Sequence, residues 1–252
     1  MNAVDPQHPP TDFALLERGR TRMWIRRGHE ASAELLGVVA DPPAVGWAEG
    51  GRARHPIVAL PGGEHALLRA YRRGGAVRRV NRERYFGGHR AFEELCATEA
   101  AREAGVRVPT VLAATERRHR VGYTASLATR WIPRAVDLES WLRRAAVERR
   151  RVVWREAGRQ IDRMHARGIV HPDLNLGNLL VAEVAAGLPT VYVLDFDRAR
   201  FASGAVSPQR RAADLSRLAR SARKLGLPLT PDDAFALREG YGGRWPDGVR
   251  LP

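Results

Sequence analysis

The sequence predicts an α+β chain of two lobes, a small β-rich amino-terminal lobe and a mainly helical carboxy-terminal lobe. Three observations carry that expectation. Short apolar runs separated by Gly and Pro crowd residues 41–68, the pattern of strands joined by tight turns. Helical periodicity dominates after residue 137. Within that helical half, two short polar segments carry acidic and amide side chains, His171–Asn178 and Asp195–Asp197.

Residues 1–12 are polar and proline-containing and read as a flexible tail. The first lobe is expected over 13–131 and the second, with the catalytic loop, over 132–252, with Ile132-Pro133 as the linker. In the first lobe, Ile57–Leu60 and Ala66–Leu68 read as strands between glycine- and proline-rich turns. A helix fits 90–104, with Phe92, Leu95 and Cys96 on one face and Gly105 as its stop. Strand-like pieces follow at Val106–Ala113 and Val121–Trp131, on either side of a charged turn at Glu116-Arg117-Arg118. In the second lobe Asp137 can cap a helix over 138–149. The strongest stripe, Trp154, Ala157, Ile161 and Met164, predicts a helix over 151–167 ended by Gly168. Leu179–Ala182 and Val191–Leu194 read as a hairpin around Gly187-Leu188-Pro189. Helices fit 208–225 and 231–239, the last opened by Thr230-Pro231-Asp232-Asp233.

Composition bounds the chemistry. The 252 residues are 44% hydrophobic and 28% charged, an ordinary globular balance that can bury a core. No apolar run is long enough to span a bilayer, and the N-terminus has the features of no secretory signal. The single cysteine, Cys96, excludes an internal disulfide, fits a reducing compartment and reads as a small apolar residue of a helix. The net charge of +14 favours anionic partners. Of the 42 basic residues only Lys224 is lysine, so codon bias inflates that charge, and local clustering is the more informative signal.

His171-Pro172-Asp173-Leu174-Asn175-Leu176-Gly177-Asn178 reads H-x-D-L-x-x-x-N, and Asp195-Phe196-Asp197 follows seventeen residues after Asn178. This ordered pair resembles the catalytic loop and metal-binding motif of the protein-kinase fold. Phosphoryl transfer needs a group at the acceptor hydroxyl and oxygen ligands that hold Mg²⁺ against the phosphates. Asp173 fits the first task; Asn178 and Asp195 fit the second. His171 reads as a packing and backbone-binding residue, and Asp214 as a holder of the loop backbone from a neighbouring helix. Pro172 stands where protein kinases carry the Arg that reads a phosphorylated activation loop. Asp197 stands where they have Gly, and is a candidate substrate contact. Only eighteen residues separate Asp195 from Asp214, without an A-P-E sequence, which argues for a small-molecule or glycan acceptor over a peptide.

In the first lobe, Gly46–Arg52 is the candidate phosphate-covering loop, with Gly50 and Gly51 letting backbone amides approach an anion. With no lysine in that lobe, Arg69 is the candidate for the α- and β-phosphates of ATP. Glu94 is its expected counter-ion, with Glu93 and Glu99 as alternatives. Arg69, Arg72, Arg73, Arg78, Arg79, Arg82 and Arg84 form a basic block suited to an acidic acceptor or an anionic leaflet.

Arg69–Gly75, the helix start Arg90–Glu94, His171–Asn175 and Asp195–Arg198 together resemble the lipopolysaccharide core kinases, in particular the 3-deoxy-D-manno-octulosonic acid (Kdo) kinases, over roughly residues 35–225. Where that group tends to read G-R-G, this chain has Gly51-Arg52-Ala53. The resemblance implies a two-lobed protein-kinase-like fold with ATP and Mg²⁺ as cofactors. It implies phosphorylation of the 4-hydroxyl of Kdo in Kdo-lipid IVA or a related lipopolysaccharide precursor. The expected enzyme is peripheral, on the cytoplasmic side of the inner membrane against anionic inner-leaflet lipid, with no nucleic acid partner. Arg72 and Arg73 then contact the acceptor. Two alternatives stay open: a kinase of another small-molecule, glycan or protein acceptor, and a non-catalytic kinase-like binding module.

Overall fold

The computed structural model describes residues 5, 7–37, 42–50, 53–71, 87–183, 187–242 and 245–249. The chain divides into two compact units. One, the sheet unit, comprises residues 2–99 and 110–131; the other, the helical unit, contains residues 100–109 and 132–252.

The sheet unit is built on seven antiparallel strands in the order β1-β2-β6-β7-β5-β4-β3. They are β1 (Phe13–Arg18), β2 (Thr21–Arg26), β3 (Ala44–Gly50), β4 (Ala53–Ala59), β5 (His65–Ala70), β6 (Val111–Arg118) and β7 (Tyr123–Arg130). Strand alternation splits the apolar residues into two cores. Trp24, Val111, Ala114 and Leu127 face helix α2 (Arg90–Glu103), where they meet Phe92 and Leu95. Trp24 stacks on Phe92 with ring centroids 4.3 Å apart. Met23, Ile25, Val58, Leu68 and Leu112 form the opposite core, closed by Ala33 and Leu36 of the short helix α1 (Ala33–Leu36).

The helical unit packs α3 (Leu138–Leu142), α4 (Val147–Ala166), α5 (Pro208–Lys224) and α6 (Pro231–Tyr241) with two small sheets. One sheet orders β11 (Thr190–Val193), β10 (Leu179–Ala182) and β8 (Ala135–Asp137); the other pairs β9 (Ile169–Val170) with β12 (Arg200–Phe201). Helices α4 and α6 touch backbone to backbone. A methyl group at Gly240 would overlap the Arg155 carbonyl, and one at Gly158 would meet the backbone of Leu237 and Tyr241.

Several expected elements shift. Residues 13–37, to which the sequence pattern assigned no element, form β1, β2 and α1. Glu116–Arg118 are not a turn but the end of β6, because the Glu116 side chain is buried there against His89. The reversal lies at His119–Gly122, where the His119 amide donates to the Gly122 carbonyl at 2.9 Å and Gly122 has φ +74°. The strand expected from Val106 starts at Val111, since the Val106 amide still closes α2 on the Ala101 carbonyl at 3.0 Å. The helix expected over 138–149 breaks after Leu142, and α4 starts at Val147 rather than 151. Between them Ala146 is extended, with ψ 148°, and the Arg143-Arg144 pair has no apolar face to bury. Asp137 does cap α3, accepting from the Ser140 amide at 2.8 Å.

Candidate active site

In the helical unit the loop and the acidic turn are brought together by the β10–β11 hairpin. Leu179 pairs with Val193, so the residues just outside that pair are neighbours. The Leu194 amide donates to the Asn178 carbonyl at 2.9 Å, which sets Asn178 beside the residue preceding Asp195. The loop enters from β9 and is held at its base. The His171 amide donates to Asp214 Oδ2 at 2.9 Å, and His171 Nε2 meets the Leu194 carbonyl at 2.9 Å. Since a carbonyl only accepts, Nε2 carries the proton. Histidine 171 is buried, and its ring meets the Phe196 ring edge-on at 5.3 Å. One imidazole thus ties together the two polypeptide segments that carry Asp173 and Asp195. Asp214 holds the loop backbone from α5, the structural task its position suggested.

Asp173 is exposed, at the tip of the loop. Two amides fix the backbone around it: Asn175 Nδ2 and Asn178 Nδ2 each donate to the Asp173 carbonyl at 2.9 Å. Asn175 also caps the short helical turn that follows, its Oδ1 accepting from the Asn178 amide at 3.2 Å. With Nδ2 of Asn178 committed, its Oδ1 is the atom it can present to a cation. Asp195 sits at φ +63°, one of two described non-glycine residues with positive φ. Such a conformation costs about 1 kcal/mol or more for an L-residue and persists only where the surroundings impose it. Here buried Phe196 on one side and the anchored Leu194 on the other impose it. Asp197 lies in the turn closed by the Ala199 amide on the Phe196 carbonyl at 3.0 Å.

One carboxylate and one amide oxygen suit a hard divalent ion that keeps water and phosphate ligands. Among the described residues no group of three His, Cys, Asp or Glu side chains converges into a self-sufficient cage.

In the sheet unit Arg69 of β5 pairs across the sheet with Leu127, on the α2 face. Its guanidinium donates to Glu94, which is 2% exposed, and the Tyr71 hydroxyl donates to the other carboxylate oxygen. Of the three glutamates considered, Glu94 takes Arg69. Glu99 pairs with Arg26 at 2.6 Å, and exposed Glu93 accepts from the His89 amide at 3.4 Å. Tyr71 went unassigned in the sequence, although it lies two residues beyond Arg69. Its ring also sits under the Arg69 and Arg90 guanidiniums, at 5.1 and 5.2 Å. A second missed group starts α2: His89 Nδ1 meets buried Glu116 Oε2 at 2.8 Å. Burial raises the Glu116 carboxyl above the ordinary glutamate value, against the opposing pull of His89. No sequence pattern links positions 89 and 116; only the pairing of α2 with β6 does.

Gly50 ends β3, while Gly51 and Arg52 lie outside the described residues. So do Arg72 and Arg73, with Arg78, Arg79, Arg82 and Arg84 of the basic block. Strand β3 carries small residues on its α2 side. Gly46 pairs with Ile57 and Ala48 with His55, and a methyl on Gly46 would touch the Ile57 Cδ1 at 3.7 Å. Its other side carries Trp47, 52% exposed, with the Arg54 guanidinium 5.5 Å from the ring centroid.

Among the described residues no helix is long and apolar enough to cross a membrane. Residues 47–241 match the lipopolysaccharide kinase (Kdo/WaaP) family. A 3-deoxy-D-manno-octulosonic acid kinase of Xylella fastidiosa strain 9a5c is 33% identical over 208 residues, 79% of this chain and 80% of its own. One of Actinobacillus succinogenes is 35% identical over 188 residues, covering 71% and 76% of the two chains. Among solved structures, WaaP in complex with acyl carrier protein aligns with TM-score 0.55 and 23% identity over 86% of this chain and 83% of that one, a likeness of fold. With an α+β, kinase-like fold of two units and this family match over most of its length, the chain belongs to the lipopolysaccharide kinase (Kdo/WaaP) family and is an ATP-dependent phosphotransferase.

Proposed function

We propose that this enzyme phosphorylates the 4-hydroxyl of Kdo in Kdo-lipid IVA, as a peripheral protein on the cytoplasmic side of the inner membrane. The observation that carries the reading is the loop just described: Asp173 exposed on a backbone pinned by Asn175 and Asn178, with Asn178 tied to the segment leading into Asp195. The curated relatives named as Kdo kinases support the choice of acceptor.

Asp173 takes or orients the proton of the sugar hydroxyl, the task of a carboxylate held at the tip of a rigid loop. Asn178 Oδ1 and Asp195 are the oxygens for Mg²⁺, which when bound neutralises charge on the transferring phosphoryl group. Arg69, oriented by Glu94 and Tyr71, meets the α- and β-phosphates, and the backbone at Gly50 and Gly51 covers them. Arginine keeps its charge under all conditions, so it can replace lysine as a counter-charge while Glu94 fixes its direction. The Arg69–Glu94 pair supports a catalytic reading over a non-catalytic binding module, although the lobe has no lysine. Arg72, Arg73 and Asp197 are assigned to the acceptor, whose carboxylate and lipid phosphates are complementary to the arginines. The same basic block, near anionic lipid, contributes about 1 kcal/mol per side chain to membrane attraction.

The test is turnover of purified enzyme with ATP, Mg²⁺ and Kdo-lipid IVA, followed by NMR of the product. Phosphate on the Kdo 4-hydroxyl is expected. Phosphate on another hydroxyl or sugar replaces the acceptor, and turnover only with a non-glycan acceptor overturns the reading. Replacing Arg72 and Arg73 by Ala should raise KM for the lipid more than for ATP; equal effects would detach them from the acceptor.

A further inference from the structure

The last helix, α6, reaches the loop that carries Asp173 through buried side chains. Tyr241, its final residue, is 0% exposed, and its hydroxyl lies 2.8 Å from His165 Nδ1. His165, on the last turn of α4 and likewise 0% exposed, sets Nε2 3.3 Å from Asp214 Oδ2. That same oxygen accepts the His171 amide at 2.9 Å. Asp214 Oδ1 accepts from Arg217 at 3.3 Å, and Arg211 Nη1 lies 3.5 Å from the Tyr241 oxygen.

The direction of every hydrogen bond follows. A carboxylate surrounded by donors only accepts, so His165 Nε2 carries a proton and donates to Asp214. In the neutral imidazole Nδ1 is then the acceptor, and the Tyr241 hydroxyl donates to it. Burial pushes the Tyr241 phenol up to about 12, so it keeps that proton across the working range. The Tyr241 oxygen turns its lone pairs to Arg211. The run is Arg211 to Tyr241 to His165 to Asp214, where it meets the His171 amide. His171 continues it to the Leu194 carbonyl, one residue before Asp195.

The geometry points to Tyr241 as a positioning residue: its hydroxyl sets the tautomer and orientation of His165, and through Asp214 the seat of the loop bearing Asp173. Two features hold Tyr241 in place. The Gly158–Gly240 crossing lets α6 lie directly on α4. Asp233, 1% exposed, both closes the α6 capping box and takes Arg150 of α4 at 2.5 Å. Removing the hydroxyl leaves His165 Nδ1 without its donor in a fully buried place. The ring can then rotate or change tautomer, and Asp214 loses a donor. A residue more than sixty positions beyond the catalytic loop in sequence thereby sets how that loop sits.

This rests on the proposed phosphotransfer, so the test has one arm that needs activity and one that does not. In Tyr241→Phe, kcat with Kdo-lipid IVA should fall about 10-fold while KM for ATP stays within about twofold, the scale for partners one step removed from reacting groups. Leu237→Val, which trims the same helix without touching the run of hydrogen bonds, should lower Tm comparably and keep kcat. Tyr241→Phe combined with His165→Phe should cost no more than the larger single change, because both break one connection. Independently of any acceptor, amide hydrogen exchange over residues 169–180 should quicken in Tyr241→Phe, with peptides of the sheet unit unchanged. Unaltered exchange together with unaltered kcat would overturn the inference, as would equal kcat losses in Tyr241→Phe and Leu237→Val. A wild-type enzyme inactive on Kdo-lipid IVA, with exchange still quickened, would strike the acceptor assignment and leave the role of Tyr241 standing.

Discussion

The two units hold their chemistry-bearing residues by different means. In the sheet unit the means is charge. Arg69, Glu94, Arg26, Glu99, His89 and Glu116 pair along α2, with each of the three glutamates no more than 5% exposed. In the helical unit it is the backbone. Asp173, Asn178 and the segment before Asp195 are fixed by main-chain amides and carbonyls, with neutral Asn175 and Asn178 and one carboxylate, Asp214, behind them. A buried ion pair tolerates the loss of neither partner, because the survivor is left charged and dry. A loop held by many neutral hydrogen bonds loses them one at a time, about 1 kcal/mol each. The sheet unit should therefore respond to substitution mainly through stability, and the catalytic loop mainly through rate.

The largest effects test the loop. Asp173→Ala should lower kcat by about 10²–10⁴-fold with little change in Tm, the cost of losing a positioned proton acceptor; unchanged turnover removes Asp173 from the chemistry. Asp195→Ala should abolish Mg²⁺-dependent turnover, and retained turnover would move the metal elsewhere.

Next comes the sheet unit. Arg69→Ala leaves Glu94 buried beside Tyr71 and should cost about 3–5 kcal/mol in urea unfolding. It should also raise KM for ATP. A loss below about 1 kcal/mol would place the pair with ordinary surface ion pairs and erase the contrast between the units.

Asn175→Ala should be milder, about 1 kcal/mol for the lost cap, but with a clear fall in kcat because the Asp173 carbonyl loses one of its two amides. A stability loss without a rate loss would show that the loop does not depend on its cap.

The smallest effects concern pH. Glu116, raised by burial from the ordinary 4.5, binds its proton more tightly folded than unfolded. Its contribution therefore declines as pH rises above 4.5. Glu64 is lowered, first by the hydrogen bond from His29, so its contribution is present above 4.5 and lost as pH falls below it. Glu116→Gln should flatten the fall in stability on the high side of 4.5, and Glu64→Gln the fall on the low side. Identical pH profiles in urea unfolding for all three proteins would show that neither group is linked to folding. Cys96, with its thiol pushed up to about 11 by burial and by Glu99, should alkylate slowly at pH 8 in the native state and quickly in urea.

Much of this was legible in the chain. The H-x-D-L-x-x-x-N and D-F-D segments are local: their residues lie within a loop and a hairpin of short sequence separation, so pattern and position coincide. The α4 stripe, the Thr230 capping box and the glycine stops at 105, 168 and 226 were legible for the same reason, with φ values of +83°, +79° and +70° at those glycines. Arg69 could be named from its place on the strand after the glycine-rich segment, with Glu94 as its expected counter-ion and Glu93 and Glu99 as alternatives. The β1–β2 hairpin was not legible, since Leu15 and Leu16 are consecutive and both half-buried, which hides the alternation. Nor was the true turn at 119–122, because a charged Glu-Arg-Arg triplet looks exposed until His89 is brought over Glu116.

The sequence by itself determined the reaction class, the acidic and amide residues proposed to carry it, and the order of the elements that present them. All of these depend on residues close along the chain, where spacing translates directly into geometry. Only the tertiary structure decided which of Glu93, Glu94 and Glu99 meets Arg69, that His89 is paired with Glu116, and that Tyr241 reaches the catalytic loop through His165 and Asp214. Those contacts join residues from 25 to 76 positions apart whose meeting is fixed by helix packing and strand register, neither of which leaves a local trace in the sequence.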